Sequence, residues 1–174
     1  MKSFFYRQAL AVVILGVAII LLVSATPVKA FSITATENIQ DWVFTPGLNQ
    51  NPAPLVLTVT TESYPWTVHV RDPLTGEKKS GSAGKLLEYN TGTGWVNSGS
   101  EIAENMTVIG ETSTGVAGST VPLGPTNRLI ETGSAAVSGK QMAITLQQPI
   151  SYTDPILTNG NNYRVILTFT LTQP

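Results

Sequence analysis

The chain has 174 residues, of which only 12% are charged, with a formal net charge of −1 and no cysteine. The missing cysteine excludes disulfide frameworks, thiolate zinc sites, cysteine nucleophiles and iron–sulfur clusters. The lysines and arginines are few and scattered, which excludes a nucleic-acid surface, because neutralising phosphates needs clustered cations.

The first 30 residues read as an export signal. Lys2 and Arg7 give a positive start, an apolar run follows from Ala9 to Val23, and Val28-Lys29-Ala30 is a small-x-small exit. The run is shorter than the roughly 20 residues of a permanent membrane helix. Cleavage after Ala30 is the expected outcome, with Val23-Ser24-Ala25 a second acceptable exit. Two alternatives stand beside it: a retained N-terminal anchor, and a pilin-type leader cut near Arg7-Gln8. Only if residues 9–25 are retained does the chain touch a membrane. Without residues 1–30, seven basic residues face eleven acids, a net charge of −4, and 22 threonines supply much of the polarity.

From Phe31 onward the apolar period is two. "FSITAT" puts Phe31, Ile33 and Ala35 on one face, a free terminal strand that pairs with its own sheet or with an open edge on a neighbour. "PLVLTVTT" places Leu55, Leu57 and Val59 together. "WTVHVR" does the same with Trp66, Val68 and Val70, leaving Thr67, His69 and Arg71 opposite. Asp72-Pro73-Leu74-Thr75-Gly76 is a turn signal, as are Pro46-Gly47 and Asn159-Gly160. Residues 76–100 are rich in Gly, Ser and Lys, with strand islands at "LLEYN" and "GWV". "AENMTVIG" and "NRLIETG" read as short strands, and residues 111–126 between them as a loop. "MAITLQQPI" sets Met142, Ile144 and Leu146 in register. "YRVILTFTLT" reads as one strand with Tyr163, Val165, Leu167, Phe169 and Leu171 on one face. Alternation of this kind marks half-buried strands. The pattern predicts an all-β, antiparallel two-sheet sandwich of seven to nine strands over residues 31–174, immunoglobulin-like or jelly-roll-like, preceded by the hydrophobic signal helix.

No constellation specifies a reaction. His69 is the sole histidine, and no Gly-x-Ser-x-Gly elbow accompanies it, so it reads as an exposed strand residue. The eleven acids are isolated in sequence; a glycosidase would need two of them to face each other across a cleft. Glu101 and Glu104 are the acids nearest to a loop calcium site, but calcium-loop spacing is absent, and no metal or cofactor is expected. Gly92 and Gly94 in "TGTGW" read as a turn rather than a phosphate cradle. Trp42, Trp66, Trp95, Tyr64, Tyr89, Tyr152 and Tyr163 are the aromatics that could line a sugar-binding face. Trp66 belongs to the core by its alternation, whereas Trp95 sits in a Gly-rich loop as the candidate ligand contact. Asn105-Met106-Thr107 is the one glycan acceptor sequence, which makes Asn105 a candidate glycosylation site.

"DWVFTPG", "LVLTVTTESYPWTVHV" and "QQPISYTDPILTNGNNYRVILTFT" together resemble small exported immunoglobulin-like sandwich proteins of prokaryotic, especially archaeal, cell surfaces. The resemblance covers most of residues 31–174 and implies fold and compartment, with no functional residue to carry over. The expected function is a non-enzymatic, secreted or cell-surface structural or adhesion module. Its partners would be other surface proteins, glycans or copies of itself. The alternatives are a filament subunit, assembled by strand donation or through the N-terminal helix, and a carbohydrate-binding module.

Overall fold

The structure is a computed structural model that describes residues 31–35, 42–73, 78–96, 98–157 and 160–173. The expected signal helix over residues 1–30 lies outside the described residues, as do Glu37, Asp41, Glu77, Asn159 and most of the 72–76 turn.

Thirteen strands occur among the described residues: β1 (Ser32–Ala35), β2 (Gly47–Gln50), β3 (Leu55–Thr61), β4 (Trp66–Arg71), β5 (Leu87–Asn90), β6 (Gly94–Trp95) and β7 (Thr107–Ile109). They continue as β8 (Val116–Gly118), β9 (Thr120–Pro122), β10 (Arg128–Gly133), β11 (Val137–Ile150), β12 (Asn162–Arg164) and β13 (Thr168–Thr172). No helix occurs among the described residues. The all-β reading therefore stands. The count exceeds the expected seven to nine, because the polar loops carry short strands of their own. The segment 111–126, read as a loop, supplies β8 and β9.

Every pairing between these strands is antiparallel, and the pairings make three sheets rather than two. The first runs β1-β3-β11-β7-β9, with β2 also on β11; the second runs β13-β4-β10-β8; the third, smaller one runs β12-β5-β6. The first two enclose the core. β3 contributes Leu55, Leu57 and Val59, and β11 contributes Met142, Ile144 and Leu146. From the second sheet come Trp66, Val68 and Val70 on β4, Ile130 on β10 and Leu171 on β13. Successive strand residues point to opposite faces, so each alternating sequence buries one set and leaves the other half-exposed.

Four local devices shape this body. Trp66 lies against Gly133, its register partner, and donates its indole N–H to Ala135 O at 2.8 Å. A Cβ on residue 133 would fall 1.8 Å from Trp66 Cε2, so only glycine lets the ring in. On β10 the register against β4 shifts between Leu129 and Glu131. Such a bulge turns consecutive side chains to one side, and both Ile130 and Glu131 are fully buried. β2 and β3 follow the same edge of β11, interrupted by Asn51-Pro52-Ala53-Pro54. Asn51 bridges the gap: its N–H donates to Leu146 O (3.1 Å), and its Oδ1 accepts from Leu146 N (2.9 Å), where the prolines have no donor. β1 pairs with its own sheet, Ser32 opposite Thr60 through Ala35 opposite Leu57. Of its expected apolar face only Ile33 packs on the core, while Phe31 and Ala35 are exposed.

The expected strand over residues 163–171 is two strands in different sheets. Asn162–Arg164 joins β5, and Thr168–Thr172 joins β4. The chain crosses between them at Val165–Leu167, which are half-buried on both faces, so the alternation there does not separate inside from outside.

Candidate functional site

Of the residues that sequence reading singled out, the third sheet and its turn gather Tyr89, Gly92, Gly94, Trp95 and Tyr163. Asn90 Oδ1 accepts from Gly92 N (2.9 Å) and Thr93 N (3.1 Å), and Gly94 follows with φ +88°. These bonds make "TGTGW" the tight connection between β5 and β6, as the turn reading expected. The connection returns Trp95 opposite Tyr89. Their rings meet edge to face, with centroids 5.2 Å apart at 79°. Trp95 is half-buried, on a strand rather than in a free loop. Arg164, from β12, lays its guanidinium 4.5 Å from the Tyr89 centroid and 6.0 Å from that of Trp95. Lys78 Nζ lies 5.2 Å from the Trp95 centroid.

Carboxylates pin the cluster rather than open it. Glu88 accepts from Ser100 N (2.8 Å) and from Asn161 Nδ2 (2.6 Å), and these bonds, the Ser100 N–H foremost, hold its carboxyl below the usual range. Glu101 accepts from Lys79 (3.2 Å) and Lys85 (3.3 Å). Burial works against its charge, yet the two lysines prevail and hold its carboxyl low. Two ammonium groups thus occupy the acid named as a calcium ligand, while Glu104 is exposed. Among the described residues no group of three His, Cys, Asp or Glu is placed to hold a metal ion. Tyr163 donates to Pro155 O at 2.7 Å; burial, with the charges of Asp154 and Glu88, pushes its hydroxyl up to about 12.

The remaining candidates are dispersed. Trp66 is core, and Trp42 packs on Phe44 at 4.8 Å between centroids. His69 is half-buried on the outer face of β4, opposite Leu129 and Thr170. The Asn105 amide donates to Leu123 O (2.8 Å) and lies 3.5 Å from Ala83 O, so the nitrogen that would carry a glycan holds two loops together. Among the described acids, Glu111 and Glu131 come together through their backbone and side-chain hydrogen bonds. Glu131 Oε1 accepts from Glu111 N (2.5 Å), and Glu111 Oε2 accepts from Ala143 N (2.6 Å). Burial raises the Glu131 carboxyl to about 7, the Glu111 N–H opposes the rise, and the Glu111 charge adds to it.

Two features escaped the sequence. Asp72 and Lys78 form an ion pair with both side chains fully buried, and Glu131 is buried in the core. Lysine in a Gly/Ser-rich stretch reads as solvated surface, and no local pattern marks it otherwise. Comparison with known proteins finds no matching family model, curated protein or solved structure.

Proposed function

We propose that the chain is a non-enzymatic, exported β-sandwich module, immunoglobulin-like or jelly-roll-like, that serves structure or adhesion at the cell surface. The observation that carries this reading is the loop after β11. Asp154 accepts from Ser151 N (2.7 Å) and Ala103 N (3.3 Å), and Tyr163 holds Pro155. The loop is thereby tied down over Ser151–Pro155, yet Tyr152 is 92% and Ile156 91% exposed. Large apolar side chains held outward on a fastened loop suit a contact with another surface protein. A sugar-stacking reading is weaker, because Trp95 and Tyr89 stand nearly perpendicular and carry cations on their rings.

The test is a Tyr152→Ser/Ile156→Ser double variant of the full chain, expressed in the native host. Cell-to-cell or cell-to-substrate adhesion is expected to fall while the melting temperature holds. Unchanged adhesion, or recovery of the chain from the cytoplasmic fraction alone, would sink the proposal.

A second reading, a subunit assembled by strand donation, has one specific support. β13 pairs with β4 alone among the described strands, so its outer edge offers unpaired N–H and C=O groups, and β1 is a short strand held to the core by Ile33. Regular polymers in electron micrographs, lost in Ile33→Asp, would favour this reading over the first.

A further inference from the structure

The Asp72–Lys78 pair is chemically unusual in this molecule. Both side chains are fully buried, with the lysine Nζ against Asp72 Oδ2. Taking two charges out of water is costly unless the remaining polar atoms are satisfied, and here they are not. Asp72 Oδ2 also accepts from Gly84 N at 2.7 Å, whereas Oδ1 is buried without a hydrogen-bond partner. The backbone fixes the pair: Asp72 N donates to Gly124 O at 2.8 Å. Gly84 has φ +87°, and a Cβ there would fall 2.1 Å from Leu123 O, so position 84 presents a bare N–H. The Trp95 ring, 5.2 Å from Nζ, contributes an apolar wall.

We infer that Lys78 and Asp72 are a self-modifying pair that condenses to an isopeptide amide. In a site closed to bulk solvent a proton passes from the ammonium to Oδ1, leaving a neutral amine beside a neutral carboxyl. The Nζ lone pair attacks Cγ and the N–C bond forms. The negative charge that develops on Oδ2 meets the Gly84 N–H, a fixed donor. A second proton moves from nitrogen to Oδ1, the C–O bond breaks, and Oδ1 leaves as water. The nitrogen keeps one hydrogen, and nothing is oxidised or reduced. The product has no buried charge and no orphaned Oδ1, so burial favours the amide over the ion pair. Holding amine and carboxyl in contact supplies the proximity that such a step needs in place of a separate enzyme. This modification is independent of what the exposed loops bind.

The test is peptide mass analysis of the full wild-type chain after denaturation and trypsin digestion. A linked Lys78 is no longer a trypsin site. The expected product is Asp72–Lys79, lighter than its sequence by one water, with no backbone fragments from inside the ring. Pro73 has no N–H, so Asp72 cannot lose water by closing a succinimide on the next residue. Asp72→Asn is expected to lose ammonia instead, and Lys78→Arg to keep its full sequence mass. Recovery of Asp72–Lys78 or Asp72–Lys79 from the wild type at full linear mass would overturn the inference. Because that readout comes from the wild type, it does not depend on whether either variant folds.

Discussion

The body built on β3, β4, β10 and β11 and the segment between β4 and β7 bury their interiors by opposite means. In the body, alternating strands supply Leu, Ile, Val, Met and Trp, and the interior is almost wholly apolar. In the segment, Asp72, Lys78 and Ser82 are buried alongside Leu86, Leu87 and Ile102. The apolar interior draws its stability from area removed from water and tolerates loss only as a cavity. The polar interior depends on every group keeping its partner, so removing one member leaves another stranded. Glu131 joins the two regimes as the acid placed inside the body by a bulge, beside the buried polar residues Thr61 on β3 and Gln148 on β11.

Five experiments break or sharpen that contrast, beginning with the largest expected effect and ending with the smallest. Trp66→Ala should remove about 3–5 kcal/mol from the body, read as a lower urea midpoint. Gly133→Ala should cost about 3 kcal/mol by overpacking the same ring. The polar segment should answer differently to a double-mutant cycle. Asp72→Ala alone should cost about 3–5 kcal/mol, because Lys78 is left as an unpaired buried charge. The joint change Asp72→Leu/Lys78→Met should recover much of that loss, and no recovery would mean that the segment does not differ from the body. Next comes pH. The folded state holds the Glu131 proton up to about 7, above the ordinary 4.5. The stability this contributes is full below 4.5 and is lost as pH rises through about 7, a change of roughly 2–3 kcal/mol. Glu131→Gln should flatten the profile of unfolding free energy across that window. The smallest effect is Arg164→Ala, about 0.5–1 kcal/mol from the cation over Tyr89, with a shift in Trp95 fluorescence.

How far each region could be read in advance follows from the same contrast. β3, β4 and the middle of β11 are legible because one face is buried along their whole length, so a period of two appears in the residues themselves. β12 and β13 merge in the sequence because apolar residues recur at every second position from Tyr163 to Leu171, whereas the chain leaves β5 for β4 across Val165–Leu167. Nothing in the sequence marks Glu131 as buried, since strict alternation against Ile130 would turn it outward; the bulge is a tertiary event. Trp95 reads from its glycine-rich surroundings as a loop residue, because the Asn90 side-chain bonds that convert the loop into a hairpin turn are individually weak signals. The burial of Lys78 depends on Gly124 and Trp95, distant from it in the chain, as well as on Gly84, so a local window around Lys78 does not contain that information.

The pairing order of β11 has a consequence for when the chain can fold. Among the described strands β2 pairs only with β11, and β3 and β7 each need it as one of their two neighbours. β4 likewise waits for β10 and β13, and β5 for β12. The first two thirds of the chain therefore form few of their sheet contacts until residues 128–172 arrive. Long-range pairing of this kind makes closure late and slow. A chain threaded from its N-terminus through a narrow channel would remain unstructured for most of its passage and close its sheets only as its last quarter emerged.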